Sequence, residues 1–382
     1  MPDLEEAPVL LSERFRAAAL ERYTTTRSGR DKPGRYWKID LDALDLPMLL
    51  QIGAGSVRFD GVAAGTIVCD LDTAAREHGS LLERAFGATR LRSTKFGALT
   101  TAYTGLGAFV YVPRDRQIDE PIVVTYASEA GAAIFPTTVV LLEDGARATV
   151  VERFEAGSGA FVCAATEVVT GERADATCAA VQTLPDDARF IATRTASPGR
   201  DARVAWAFAD LGAELVAASA ETTIAQPGAR VDVTALFFPA GDQHVDLVTS
   251  VLHDVGRSTS DTLVKSAATQ NGQARYLGNI RIAANAQQSA AWLRDDALLL
   301  SKHSHIDSVP ALEIAANDVR AFHGATVGAI DVEQIFYMES RGIERAQAER
   351  MIALGFFEPA IARFPGETLR EEIRDALAAK AG

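Results

Sequence analysis

Cysteine is scarce in this chain, with three in 382 residues (Cys69, Cys163 and Cys178). They are odd in number and far apart, which excludes a disulfide framework, and the lack of any Cys-x-x-Cys pair leaves no zinc site. Apolar runs are short, none nearing the roughly 18 residues that cross a bilayer. Basic side chains are outnumbered, 38 Lys and Arg against 51 Asp and Glu, for a formal charge of −13. That sign makes the chain a poor partner for nucleic acid or anionic lipid, whose phosphates must be neutralised by cations. Also missing are a Gly-x-Ser-x-Gly elbow, a Walker loop and a dinucleotide fingerprint. A hydrolase triad therefore has no anchor, and any ATP must be bound by another chain. The opening MPDLEEAPVLL is acidic and lacks the basic-then-apolar order of an export signal, so a cytoplasmic location is expected.

What remains is a globular composition, 48% hydrophobic and 23% charged. Helical periodicity occurs at both ends. Leu11, Phe15, Ala18 and Ala19 predict a first helix, and Leu81, Leu82 and Phe86 a second over Asp72–Phe86, with a Thr/Gly/Arg/Lys loop (Thr24–Gly34) between. From Phe109 to Leu300 the chain consists of short Val/Thr/Ile/Ala-rich runs. Gly145, Gly171, Asp186, Gly199, Gly212, Gly228, Gly241, Gly256 and Gly272 punctuate them, mostly at intervals of roughly 13 to 16 residues. Such spacing predicts evenly repeated strands in a sandwich, a barrel or a β-solenoid, and does not choose among them. Beyond Asp331, which with Gln334 predicts a capping box, the pattern returns to helix. Arg341 and Gly342 break it, a second helix runs from near Glu344 to Gly355, and Leu369, Ile373 and Leu377 mark a third. Helices at both ends would cover the open strand edges.

Histidines offer the first chemistry. His303 and His305 are two apart and would share one face of a strand; His323 follows in FHGATVG. Converging imidazoles bind transition metals, although surface positions are the simpler reading of the first two, and a turn or packing role beside Gly324 accounts for His323 as well as ligation does. Asp295 and Asp296, like Asp186 and Asp187, are sequence neighbours, read as solvated turn carboxylates rather than an acid/base couple. The cysteines lie in apolar, strand-like runs and read as buried, unreactive thiols.

Long ordered segments carry a resemblance. ALEIAANDVRAFHGATVGAIDVEQIFYMESRGI (Ala311–Ile343) resembles the C-terminal signature of the SufB/SufD family of iron–sulfur cluster assembly proteins. KFGALTTAYTGLGAFVYVPRD (Lys95–Asp115), FPTTVVLLEDGARATVVERF (Phe135–Phe154) and DQHVDLVTSVLHDVGRSTSD (Asp242–Asp261) are similar to that family in the same order. The resemblance implies a mainly β chain, a parallel β-helix core over 91–322 between an N-terminal helical region (1–90) and a C-terminal one (323–382). It further implies a non-enzymatic scaffold that pairs through its β-helix with a SufB-like paralogue, or with itself in its absence. A SufC-type ABC ATPase would dock on the C-terminal helices, for which Asp331, Phe336, Tyr337, Arg341 and Gly342 are the candidate contacts. ATP would act only through that ATPase, and an iron–sulfur cluster would be held transiently between the paired chains.

Ser304 and Gly324 stand where SufB members of the best-known type carry a ligand cysteine and a glutamate, so the chain is most like the SufD members. By the same resemblance His323 matches the histidine proposed to act opposite the SufB cysteine, with His303 and His305 as possible auxiliary ligands. Ala321 stands where some SufD members have a further cysteine. One histidine is too few ligands for a cluster, so half a site per chain is expected, completed by the partner. A SufB-like paralogue, a purely structural adaptor and a β-helix carbohydrate-active enzyme are the competing readings; the last would need acids and bases clustered on one face of the coil.

Overall fold

Runs such as Thr137–Leu142 and Phe161–Thr170 are rich in Val, Leu, Ala and Thr and buried at nearly every position, the pattern of strands covered on both faces in a parallel sheet. The computed structural model describes residues 13–26, 53 and 55–381 and places these runs in two parallel sheets wound as one solenoid. The first sheet stacks Gly107–Val112, Thr137–Leu142, Phe161–Thr170, Arg189–Ser197, Leu215–Ile224, His244–His253, Gln273–Ile282 and His305–Ile314. The second stacks Ile122–Ser128, Arg147–Ala156, Asp175–Gln182, Arg203–Asp210, Arg230–Phe237, Thr259–Ala268, Ser289–Leu299 and Val319–Ala329. Phe161, Arg189, Leu215, His244, Gln273 and His305 lie in one register column, so a full coil takes about 26 to 32 residues. The interval of roughly 13 to 16 residues read from the turn residues is half a coil. All nine of those turn residues fall between strands, and the β-solenoid is the member of the three expected architectures that forms.

Alternate side chains of each strand point into the coil. Val204, Trp206 and Phe208 from one sheet meet Val162, Ala164, Phe190 and Ala192 from the other in a continuous core. Successive turns press closely together. A Cβ at Gly199 would stand 2.4 Å from the Gly171 carbonyl oxygen, so only glycine fits there.

The outer faces are covered by helices. On the first sheet, α1 (Glu13–Thr25), α2 (Leu71–Glu77), α3 (Gly79–Ala85) and α4 (Lys95–Ala102) contribute Tyr23, Leu82, Phe86, Phe96 and Leu99. The single helix expected over Asp72–Phe86 is two, broken at His78 (φ −134°), where α2 ends on the His78 N–H to Ala74 carbonyl bond. Most of the loop expected at Thr24–Gly34 lies outside the described residues.

Beyond the coil come α5 (Val332–Ser340), α6 (Arg345–Ile361) and α7 (Glu367–Lys380). Asp331 caps α5, its carboxylate accepting the Glu333 N–H at 2.9 Å, and Gly342 ends that turn at φ +84°. Gly355 does not end the next helix. α6 continues to Ile361 because Phe357, Ala360 and Ile361 pack against Leu236, Phe238, Leu263 and Ala267 of the second sheet. In those contacts burial outweighs the roughly 1 kcal/mol penalty of a helical glycine.

α6 and α7 therefore lie on the face of the second sheet, with Arg153 bonding Glu372 and Lys380 bonding Gln243. They do not cover the last edge of the coil, contrary to the expected capping role. The final strand runs through position 323 to Ala329, so the expected boundary at 322/323 falls inside a strand. Gly324, read as a turn signal, is extended edge-strand backbone with open space where a Cβ would stand.

Candidate functional site

The coil is finished differently at its two ends. At the start, two short antiparallel strands, Gly55–Asp60 and Ile67–Asp70, close the sheets, and the first carries Arg58 and Asp60. At the other end both sheets stop on long strands. In the first sheet, the last strand His305–Ile314 contains Pro310. The His305 N–H points inward to the Gly272 carbonyl, so the alternating Pro310 position faces the free edge, where it offers no donor. The second sheet ends on Val319–Ala329, eleven residues with no proline and one charge, Arg320. Such a strand is an unblunted template for pairing.

His323 sits within that strand and is exposed. Its register partner is Leu293, whose side chain belongs to the inner core, so the imidazole is on the inner side of the open end. Phe322 is in register with Trp292 on the outer face; they are 60% and 40% exposed and form an aromatic step. Outside it lies a cleft of about 750 Å³ bounded by Lys265, Trp292, Arg294, Phe322, Pro359 and Arg363.

The structure overturns the reading of Asp295 and Asp296 as solvated turn groups: both are buried in Ser289–Leu299 and point to opposite faces. Asp296, on the outer side, bonds Lys265 Nζ at 2.7 Å, Arg294 at 2.8 Å and the Thr326 hydroxyl at 2.8 Å. Against burial, which would raise it, the Lys265 and Thr326 hydrogen bonds hold its carboxyl below the usual value. Lys265 also lies 4.3 Å from the Phe356 ring centroid, which ties α6 to the last coils. Asp295 faces inward and accepts a hydrogen bond from the Ser308 hydroxyl on the opposite sheet; burial pushes it up to about 7. Sequence adjacency hid both environments, because the groups that define them come from strands about thirty and thirteen residues away. Asp186 and Asp187 are exposed turn residues, as read.

The remaining candidates do not converge with His323 on a metal cage. His303 lies in the bend before the strand and not within it, so the expected shared face with His305 does not form. His305 opens the strand in the other sheet and bonds Asp307 at 2.8 Å; both histidines are exposed. Among the described residues no group of three or more His, Cys, Asp and Glu side chains could hold a metal ion. Cys163 and Cys178 are buried and Cys69 half-buried. Burial pushes Cys69 up to about 11, Cys163 up to about 12 and Cys178 up as well, so none is a ready thiolate at neutral pH.

The C-terminal candidates are surface groups on one helix and its end. Phe336 and Tyr337 are 72% and 59% exposed, Val332 beside them is 71% exposed, and the Arg341 guanidinium stacks 5.2 Å from the Tyr337 ring centroid. Of α5 only Ile335 is buried. Aromatics at helical spacing are usually core; these two are not.

Comparison with known proteins finds relatives over most of the chain. The family model described as "SUF system FeS cluster assembly, SufBD core domain" matches residues 124–356. The iron–sulfur cluster assembly protein SufD of Bacillus subtilis is 29% identical over 324 residues, 83% of this chain and 74% of that protein. Iron–sulfur cluster assembly SufBD family proteins of Staphylococcus epidermidis and Staphylococcus aureus are each 25% identical over 308 residues, 79% of this chain. The chain spans 66% of the length of those two staphylococcal proteins. The matched segment covers most of the coil, the open-end strand and its histidine, and α6 as far as residue 356: the chain belongs to the SufB/SufD family of the SUF iron–sulfur cluster assembly system and is most like its SufD members.

Proposed function

We propose that this chain is a non-catalytic scaffold subunit that presents His323 on an open sheet edge to a second, cysteine-bearing chain of the same family. The observation that carries the reading is the contrast between edges. The strand Val319–Ala329 is long, exposed and unblunted, whereas its neighbour in the other sheet carries Pro310 and the opposite end of the coil is closed. Pairing along that strand satisfies its free backbone groups and buries Phe322 and Val327, which are 60% and 46% exposed. It also brings a partner's ligands to His323. A neutral imidazole binds iron, the cargo of the system, and the remaining ligands come from across the interface. The partner is a SufB-like paralogue, or a second copy of this chain when none is present. An ABC-type ATPase docks on the exposed Phe336, Tyr337 and Arg341 surface of α5, with the Asp331 cap and the Gly342 turn fixing its ends.

Anaerobic purification of the tagged chain from its native host tests the assembly: an ABC-type ATPase and a cysteine-bearing paralogue should co-elute, and recovery of the chain alone at low salt would sink the reading. His323→Ala should leave that assembly intact and abolish cluster maturation. Full maturation by the variant would leave a structural adaptor only.

A further inference from the structure

The inner side of the open end holds a group that the reading above does not use. Asp295 is fully buried, with one carboxylate oxygen bonded by the Ser308 hydroxyl. The other, Oδ1, is buried and has no hydrogen-bond partner. A buried carboxylate oxygen without a donor keeps its full desolvation penalty, so such an atom in a well-packed coil calls for an occupant. The cations of the neighbouring positions are engaged elsewhere, since Lys265 and Arg294 bond Asp296 on the outer face. The Tyr276 hydroxyl beneath is bonded to Thr249 at 2.6 Å.

Two donors lie diagonally across from Asp295 on this face, the buried Ser266 hydroxyl one strand in and an imidazole on the open-end strand. Leu293 pairs with His323 and Asp295 with Ala325. His323 is therefore on the same inner face as Asp295, one strand across (about 4.8 Å) and two residues along (about 6.6 Å), or about 8 Å between backbones. A carboxylate and an imidazole reaching toward each other span that gap. A histidine that binds a metal through one nitrogen characteristically gives its other N–H to a carboxylate, which fixes the tautomer and the ring plane.

We infer that Asp295 is the carboxylate partner of His323: its free Oδ1 accepts the imidazole N–H that faces the coil, leaving the second ring nitrogen, with its lone pair, aimed at the open edge. Asp295 is thus a positioning residue, and Ser308 from the facing sheet clamps it. The metal-binding purpose of this arrangement rests on the reading of His323 as an iron ligand; the hydrogen bond itself does not.

The test uses the full chain with ¹⁵N-labelled histidine at pH 8, above the ordinary imidazole pKa. Long-range ¹H–¹⁵N spectra report the tautomer of each of the six imidazoles, and His323→Gln assigns the signal of interest. The wild-type His323 should populate one dominant tautomer. Asp295→Asn should change its tautomer ratio about fivefold, the equivalent of a hydrogen bond of about 1 kcal/mol, while the other five signals stay in place. An unchanged ratio in a folded Asp295→Asn chain overturns the inference. If that variant does not fold, Ser308→Ala carries the test, because it loosens the carboxylate without removing it: a smaller shift in the same ratio supports the pairing, and an unshifted ratio overturns it. Cluster maturation by His323→Ala would defeat the functional reading while leaving this result untouched.

Discussion

Two buried groups on the inner face should make stability depend on pH in opposite directions, and replacing either one uncovers the other. Asp295 has its carboxyl pushed from an ordinary 3.8 up to about 7, chiefly by burial. The folded chain then holds a proton that the unfolded chain has released, so Asp295 contributes stability at low pH that is lost as pH rises toward and through 7. Between pH 5 and pH 8 the loss is about 2.5 kcal/mol. His253 is the reverse case. It is buried between the Ser258 and Ser260 hydroxyls, at 2.7 and 2.9 Å, and burial pulls it from 6.5 down to about 4. Unfolding at pH 5 lets it take up a proton, so it contributes stability present above 6.5 and lost as pH falls toward 4. Over the same interval that amounts to about 2 kcal/mol of gain. The two contributions nearly cancel in the wild-type chain. Urea unfolding of wild type, Asp295→Asn and His253→Asn at pH 5 and pH 8 isolates each one. Asp295→Asn should gain about 2.5 kcal/mol relative to wild type on going from pH 5 to pH 8, and His253→Asn should lose about 2. A wild-type-minus-variant difference that is the same at both pH values, within the roughly 10–15% uncertainty of extrapolation, would refute the assignment of these environments.

Three further outcomes follow from particular contacts. Gly199→Ala should cost about 1–3 kcal/mol, because the new methyl meets the Gly171 carbonyl of the preceding turn; a melting temperature equal to wild type would contradict the turn packing. Lys265→Met should cost about 2 kcal/mol, since Asp296 keeps Arg294 and Thr326 but α6 loses the cation under Phe356, and limited proteolysis should then cut first in the C-terminal helices. Phe336→Ala with Tyr337→Ala should leave the unfolding free energy within about 0.5 kcal/mol of wild type, as both side chains are exposed, yet remove the ATPase from the co-purified complex; retained ATPase would take α5 out of the interface.

Much of the coil was legible because its logic is local. A turn every half-coil needs a residue that tolerates the bend, and those residues stand at readable intervals. The helix α4 escaped because all eight of its residues but Lys95 are buried, leaving no polar side to produce a helical period. Gly355 misled for a related reason: a local stop signal was overridden by the packing of the residues after it. The site was less legible than the fold. His323 was one of three candidate histidines and drew its weight from family resemblance. Nothing near Asp295 in sequence announces Ser308, and nothing near Asp296 announces Lys265. Parallel coils place partners a full or half revolution apart, beyond the reach of any spacing rule applied to neighbours.

The unequal finish of the two ends has a consequence for how far assembly can go. A stack of identical coils open at both ends would accept copies indefinitely and grow into a fibre. Here one end terminates in short antiparallel strands, one of them bearing Arg58 and Asp60, and the other in a bare eleven-residue edge. In the pairing proposed above, joining two bare edges would use up both, and growth would stop at a pair. In the proposed pairing the polarity of the coil would thus set the stoichiometry, because among the described residues one end of the coil presents a long bare edge and the other does not.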